Sequence, residues 1–392
     1  MANNMGADGQ KSITILGATG SIGASTLDLI SAHPNKFKAS VLTGGKNVES
    51  LVELAKHFRP DLVVIADEDH YAQLALALSG LGIEVAAGAD ALVDAASRPA
   101  DLVVSAITGI AGLMPTLSAV RAGQTVAIAN KESLVTAGDI ITRTAKEHGA
   151  TILPIDSEHN AVFQAWVSPN ADDIRDITLT ASGGPFWGRS LAEMEDITPA
   201  QAIKHPNWSM GAKVSIDSAT MMNKGLEVIE AAVLFDLPED RVKVLVHPSS
   251  VVHGMVQYHD GTLLAQLGPA DMRVPISYAL AWPERLNWNA NSIDLADIAN
   301  LEFFAPNNEV FPCLELAREA SRNGGYAPTV LNAANEMAVE FFLHKKIGFL
   351  DIARLNRHMM DKLAPSGEVT LDQIFEVDHE TRQACLTWQK DV

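Results

Sequence analysis

The sequence predicts an α/β protein in three parts, and two patterns carry that expectation. From residue 11 to 154, short apolar runs alternate with amphipathic stretches, the signature of a parallel sheet with helices on both faces. After residue 154 strands cluster with few helices, as in an α+β domain, and from residue 310 the pattern is helical, as in a small bundle. A chain of 392 residues suits more than one core. The expected domains are 11–154, 155–285 with a lid over 183–212, a linker at 286–309, and 310–392.

In the first part, strands are expected at 12–16, 39–43, 62–65, 102–105, 125–129 and 150–153, with helices between them, for example at 48–58 and 71–78. In the second, strands are expected at 177–181, 242–246, 251–258 and 262–267, the last two forming a hairpin around Asp260-Gly261. One helix is expected over 219–234. Residues 282–308, rich in Asn, Pro and Asp, read as a linker. Helices at 313–321, 329–344, 351–362 and 378–389 follow. The first ten residues lack the basic start and apolar stretch of a secretory signal and read as a short disordered tail.

The formal net charge of −19 repels nucleic-acid phosphates and anionic membranes, so neither is an expected partner. A phosphorylated ligand is repelled too, so its site must be built from local cations and donors. The two cysteines, Cys313 and Cys385, form no CxxC, which fits a reducing cytoplasm. No run of about 18 apolar residues is present to span a membrane.

The first strand runs into Gly17-Ala18-Thr19-Gly20-Ser21-Ile22-Gly23, which opens a helix expected at 24–30. Glycines there let the backbone turn tightly and approach a pyrophosphate at the helix N-terminus, although a purely structural turn has the same composition. The second strand ends in Thr43-Gly44-Gly45-Lys46-Asn47, with no acid before Glu49. A cation and an amide suit a ribose 2′-phosphate better than a free 2′-hydroxyl, which favours NADPH over NADH, although a solvated lysine at a strand end has the same pattern. Residues 11–154 are thus expected to form a Rossmann-like NADPH-binding domain.

Pro154-Ile155-Asp156-Ser157-Glu158-His159-Asn160 lies where an apolar strand gives way to a helix expected at 161–166. Asp156 or Ser157 would cap that helix; alternatively, Asp156 and Glu158 are oxygen ligands for a hard divalent cation. Further on, Asn223, Lys224 and Glu227 share one helix face between Met221, Met222, Leu226 and Ile229. A buried polar trio needs partners, and a phosphate held by Ser218, Asn223 and Lys224, with Glu227 as third metal ligand, supplies them. Between these segments, Ser182-Gly183-Gly184-Pro185-Phe186 and His205-Pro206-Asn207-Trp208-Ser209-Met210-Gly211 bound a long polar stretch. It reads as a lid whose Trp208 and Met210 cover the site. Asn130-Lys131-Glu132-Ser133 follows a strand at its C-terminal end, where open α/β sheets bind ligands.

In order and spacing, Ala129–Ser133, Asp156–His159, Ser182–Phe186 and the 205–227 segment resemble the 1-deoxy-D-xylulose 5-phosphate reductoisomerase family over essentially the whole chain after the first ten residues. The resemblance implies NADPH contacts at Thr19, Gly20, Ser21, Ile22, Gly45, Lys46, Asn47, Asn130, Glu132 and Gly211. It implies a divalent metal, Mn²⁺, Mg²⁺ or Co²⁺, on Asp156, Glu158 and Glu227. It implies substrate contacts at Lys131, Ser157, Glu158, Ser182, His205, Ser218, Asn223, Lys224 and Glu227. Lys131, Asp156, Glu158, Glu227 and His205 would be catalytic, and the substrate a small sugar phosphate. A homodimer is also implied, with strands 251–267 as its candidate interface. His159 and His253 read equally as satisfied core histidines. A semialdehyde-type dehydrogenase needs a cysteine nucleophile near these motifs, and neither cysteine is near them. A nucleotide sensor would not need the three acids together.

Overall fold

The structure, a computed structural model, describes residues 9–208, 210–363 and 367–388. Along the chain come β1 (Lys11–Leu16), α1 (Ser21–Ala32), β2 (Phe37–Gly44), α2 (Val48–Phe58), β3 (Leu62–Ile65), α3 (Tyr71–Ala77), β4 (Glu84–Ala87), α4 (Ala89–Ser97), β5 (Leu102–Ser105), α5 (Leu113–Arg121), β6 (Thr125–Ile128), α6 (Lys131–His148) and β7 (Thr151–Pro154). They are followed by α7 (Ser157–Ala165), β8 (Ile174–Ala181), α8 (Pro199–Ala202), α9 (Ala212–Ala219), α10 (Met222–Leu234), β9 (Val242–Val246), β10 (Val252–Tyr258), β11 (Leu263–Leu267) and α11 (Arg273–Ala281). The chain ends with α12 (Leu295–Ile298), α13 (Cys313–Asn323), α14 (Ala327–Leu343), α15 (Asp351–Leu363) and α16 (Leu371–Leu386).

Two compact units emerge. The first holds the described residues up to Ser133, with Ile141–Ser157 and Met272–Ala290. Its seven strands are ordered β4-β3-β2-β1-β5-β6-β7 and pair in parallel throughout. Both faces are covered, so β3 and β5 are buried along their whole length, β3 reading Leu-Val-Val-Ile and β5 Leu-Val-Val before Ser105. The order turns back between β1 and β5, so the loop after β1 lies at the switch point where such sheets bind ligands. α11 belongs to this unit, and Lys11 Nζ donates to the Trp282 carbonyl just beyond it at 3.1 Å.

The second unit holds Leu134–Ile140, Glu158–Asp271 and the described residues from Asn291 on. Its four-stranded sheet has the order β11-β10-β8-β9. The β10–β11 hairpin turns as the sequence predicts, with Gly261 at φ +92° and Thr262 N donating to Asp260 Oδ1 at 2.8 Å. α13 to α16 pack together around Leu316, Ala334, Phe342 and Leu355.

Several elements differ from expectation. β4 is an edge strand of partly buried small residues and carries no apolar run to announce it. α7 begins at Ser157 rather than residue 161, because its first turn is polar and interrupts the apolar period. The helix expected over 219–234 is two helices, broken where Met221 adopts φ +62° with no glycine or proline to mark it. Ser218 therefore lies in the last turn of α9, before the break. α16 starts at Leu371, where Thr370 Oγ1 accepts from Gln373 N, seven residues before the expected start. The expectations for residues 1–8, 209 and 389 fall outside the described residues.

Candidate active site

The glycine loop of the first unit is shaped by close approach. Gly17 has φ +90°, and a Cβ on it would meet the Ala106 carbonyl oxygen at 2.7 Å; one on Gly23 would meet the Gly17 oxygen at 2.5 Å. Only glycine fits either position, which brings Thr19, Gly20, Ser21 and Ile22 to the start of α1, where Gly20 N donates to the Gly17 carbonyl at 3.1 Å. Thr43 Oγ1 at the end of β2 accepts from Gly17 N at 3.0 Å; no motif marks that contact. Gly45, Lys46 and Asn47 are exposed just after β2, the strand adjacent to β1, and Asn47 caps α2 through Ser50 N.

Asn130 caps α6: its Oδ1 accepts from Ser133 N at 2.7 Å, and its Nδ2 donates to the Ile107 and Gly109 carbonyls. The cap leaves Lys131 and Glu132 in the first helical turn. Lys131 Nζ pairs with Asp156, and both side chains are largely buried. Thus the first unit joins two expected site residues lying 25 positions apart in sequence.

In the second unit, Lys224 reaches 2.8 Å from Glu158 Oε1 and also pairs with Glu227 Oε2. Asn223 Nδ2 donates to Glu227 Oε1 at 2.5 Å. Burial works against the Lys224 charge, but the two carboxylates outweigh it and hold its pKa above the ordinary lysine value. His159 Nε2 donates to the Glu227 carbonyl at 2.9 Å, and its Nδ1 lies 3.6 Å from Glu230 Oε2. Glu230, fully buried beside this cluster, is not signalled by any motif.

Elsewhere in this unit, His205 Nδ1 accepts from Asn207 N at 3.2 Å and Trp208 N at 3.0 Å. The ring proton therefore sits on Nε2, which donates to Ser182 Oγ at 2.9 Å. Gly184 N also donates to that oxygen, at 3.1 Å, leaving the Ser182 hydroxyl hydrogen to donate elsewhere. Half-burial keeps the His205 pKa below the ordinary value, in line with a neutral ring. Ser218 is partly exposed in the last turn of α9, within van der Waals reach of the Gly184 backbone. The Trp208 ring lies 6.1 Å from that of His253. His253 is itself buried and bonded to the Gly268 carbonyl, and its pKa is lowered by that burial. Gly211 lies in this unit, at the N-cap of α9.

Burial pushes the thiols of Cys313 and Cys385 up to about 12, so neither is a thiolate nucleophile.

Three family models match the chain. The 1-deoxy-D-xylulose 5-phosphate reductoisomerase model covers residues 13–138. The C-terminal-domain model of the same family covers 152–235, and the DXP reductoisomerase C-terminal domain covers 267–384. The chain is 53% identical to the 1-deoxy-D-xylulose 5-phosphate reductoisomerase of Zymomonas mobilis, an alignment covering 95% of this chain and 96% of that protein. The corresponding Rhodospirillum centenum protein is 50% identical, with 97% and 95% covered. A solved structure of the Zymomonas mobilis enzyme in complex with NADPH has a TM-score of 0.91 and 51% identity, covering 96% of this chain and 98% of that one. A DOX-P reductoisomerase in complex with NADPH, fosmidomycin and magnesium has a TM-score of 0.92 and 46% identity, covering 96% and 97%. On this likeness, end to end in sequence and in fold, the chain belongs to the 1-deoxy-D-xylulose 5-phosphate reductoisomerase family.

Proposed function

We infer that the chain converts 1-deoxy-D-xylulose 5-phosphate to 2-C-methyl-D-erythritol 4-phosphate. The reaction is a metal-dependent skeletal rearrangement followed by NADPH-dependent reduction, a step of non-mevalonate isoprenoid precursor biosynthesis. One observation carries the reading: Glu158 and Glu227, 69 positions apart in sequence, converge on the buried ammonium of Lys224 beside Asn223. Two largely buried carboxylates on one cationic atom form a hard-oxygen donor set, which suits Mg²⁺, Mn²⁺ or Co²⁺. Solved relatives in complex with NADPH and with magnesium support both cofactors.

Asp156, Glu158 and Glu227 would hold the metal, with Asp156 two residues before Glu158 in the chain. A divalent ion there supplies Lewis acidity toward the carbonyl and neighbouring hydroxyl oxygens of the substrate. NADPH supplies the hydride, and Thr19, Gly20, Ser21, Ile22, Gly45, Lys46, Asn47, Asn130, Glu132 and Gly211 are its proposed contacts. Lys131 adds a cation next to Asp156, where negative charge grows on substrate oxygens in both stages. Ser182, Ser218, Asn223 and Lys224 hold the phosphate. Ser182 has its hydroxyl hydrogen to give, because both contacts to its oxygen are accepted ones. Ser157 and His205 complete the substrate contacts, and the lid at 183–212 keeps water from reactive fragments.

The proposed organisation is an NADPH-binding domain at 11–154, a catalytic domain at 155–285, a linker at 286–309 and a helical domain at 310–392. We also propose a homodimer through the β10–β11 hairpin, a reading supported by the half-exposed Leu263 on the edge strand β11. A cytoplasmic location is supported by two free, buried cysteines.

The test is NADPH oxidation on addition of 1-deoxy-D-xylulose 5-phosphate, with and without a chelator. Metal-dependent oxidation is expected. Oxidation that persists unchanged after complete metal removal overturns the metal assignment, and none with metal present overturns the substrate.

A further inference from the structure

Helix α9 runs from the end of the lid at Gly211 to Ser218 and Ala219, and its last turn carries a carboxylate turned away from water. Asp217 is only 1% exposed. Asn335 on α14 donates through Nδ2 to Asp217 Oδ1 at 2.7 Å, and Lys213 Nζ lies 3.2 Å from Oδ2. Asn356 on α15 donates in turn to Asn335 Oδ1 at 3.1 Å, and both asparagines are fully buried. The Cys313 thiol of α13 lies beside Asn356 and Thr220. Thr220 Oγ1 donates to the Asp217 carbonyl at 3.2 Å and accepts from Met222 N at 3.3 Å, across the break between α9 and α10.

An apolar residue at 217 would pack α9 against the bundle at lower desolvation cost. What the carboxylate adds is direction: donors from its own helix and from α14 fix both the rotation and the height of the last turn. The next residue is Ser218. Its carbonyl lies where a Cβ on Gly184 would stand only 2.7 Å away, so the Ser182–Gly184 loop and α9 sit at minimum separation. A small displacement of this turn must therefore move Ser218 against the loop that carries Ser182.

We propose that Asp217, Asn335 and Asn356 are positioning residues that hold Ser218 in register for the substrate phosphate. The proposal rests on the reading of Ser218 as a phosphate ligand. The network lets the C-terminal helices, which carry none of the expected site residues, set substrate affinity.

A double-mutant cycle of Asn335→Ala with Ser218→Ala tests it, read as KM for 1-deoxy-D-xylulose 5-phosphate, kcat, and NADPH affinity of the metal-loaded enzyme. Asn335→Ala alone is expected to raise the substrate KM about tenfold with kcat within about twofold, NADPH affinity holding. On the Ser218→Ala background the same change is expected to add less than about twofold, because its effect passes through the missing hydroxyl. Should Ser218→Ala leave KM unchanged, the phosphate assignment itself fails. Should Ser218→Ala raise KM while Asn335→Ala raises it equally on both backgrounds, or on neither, the assignment stands and the positioning proposal is overturned. If Asn335→Ala no longer binds NADPH, Asn356→Leu, one bond further from Asp217, takes its place with the same outcomes. Loss of NADPH and substrate affinity together in both variants makes the network a stability element and also overturns the proposal.

Discussion

Lys224 Nζ stands 2.8 Å from Glu158 Oε1, joining the first turn of α7 to the first turn of α10 across 66 positions of sequence. The contact makes Glu158 a partner of a buried cation as well as a proposed metal ligand. Glu158→Gln keeps the size of the side chain and removes its charge. Turnover is expected to fall by at least about a hundredfold, the scale on which a placed charge matters in a closed site. Affinity for NADPH should stay unchanged, since Glu158 is not among its proposed contacts. Steady-state kinetics beside a direct NADPH titration check both. An equal loss in the two would mean that the fold, not the site, was damaged.

Lys46 is exposed after β2, where a ribose 2′-phosphate is expected. Lys46→Ala should raise the KM for NADPH about tenfold, the worth of one charge-assisted hydrogen bond, and leave any turnover with NADH unaltered. Comparing the two nicotinamide cofactors on one preparation checks this. A parallel loss with NADH would remove Lys46 from 2′-phosphate recognition.

These residues differ in how plainly their neighbours in the chain mark them. The parallel sheet was legible because buried strands such as β3 and β5 are short apolar runs separated by amphipathic helical stretches. The glycine loop was legible because Gly17 and Gly23 are required by contacts with neighbouring backbone. The α9–α10 break was not, because a methionine in the left-handed conformation leaves no mark on the apolar period. Nor were Asp217 and Glu230: an acid in a helix reads as solvated surface until tertiary packing buries it. The pairing of Lys131 with Asp156 was likewise beyond reach, because periodicity predicts which face a side chain takes and not which distant residue it meets.

Gly184 offers a test of how tightly the proposed phosphate site is built. Its φ is +69°, and an added Cβ would meet the Ser218 oxygen at 2.7 Å and Ala219 Cα at 3.0 Å. Gly184→Ala pays the left-handed strain of about 1–2 kcal/mol and must also push α9 away. A loss of about 1–3 kcal/mol of stability is expected, with a rise in substrate KM beyond what the lowered stability explains. Denaturant melts and kinetics well below the transition separate the two effects. A variant with native KM would show that α9 and the Ser182 loop tolerate displacement.

The lid turn should respond to pH through His205. Its Nδ1 accepts from the N–H groups of Asn207 and Trp208, an arrangement open only to the neutral ring, and burial holds the folded pKa below the ordinary histidine value. With a folded pKa beneath the unfolded one, this contribution is at full strength above about pH 6.5. It weakens as the pH falls from there through the folded pKa, where the ring gains a second proton and the two N–H groups lose their acceptor. Hydrogen-exchange protection factors for the Asn207 and Trp208 amides are expected to drop on that acid side, while amides in β1 and β5 hold. The substrate KM should rise over the same range, because Nε2 of the reoriented ring no longer holds Ser182. His205→Ala should abolish the pH response of both amides. If protection falls equally in the variant, some group other than His205 governs the turn.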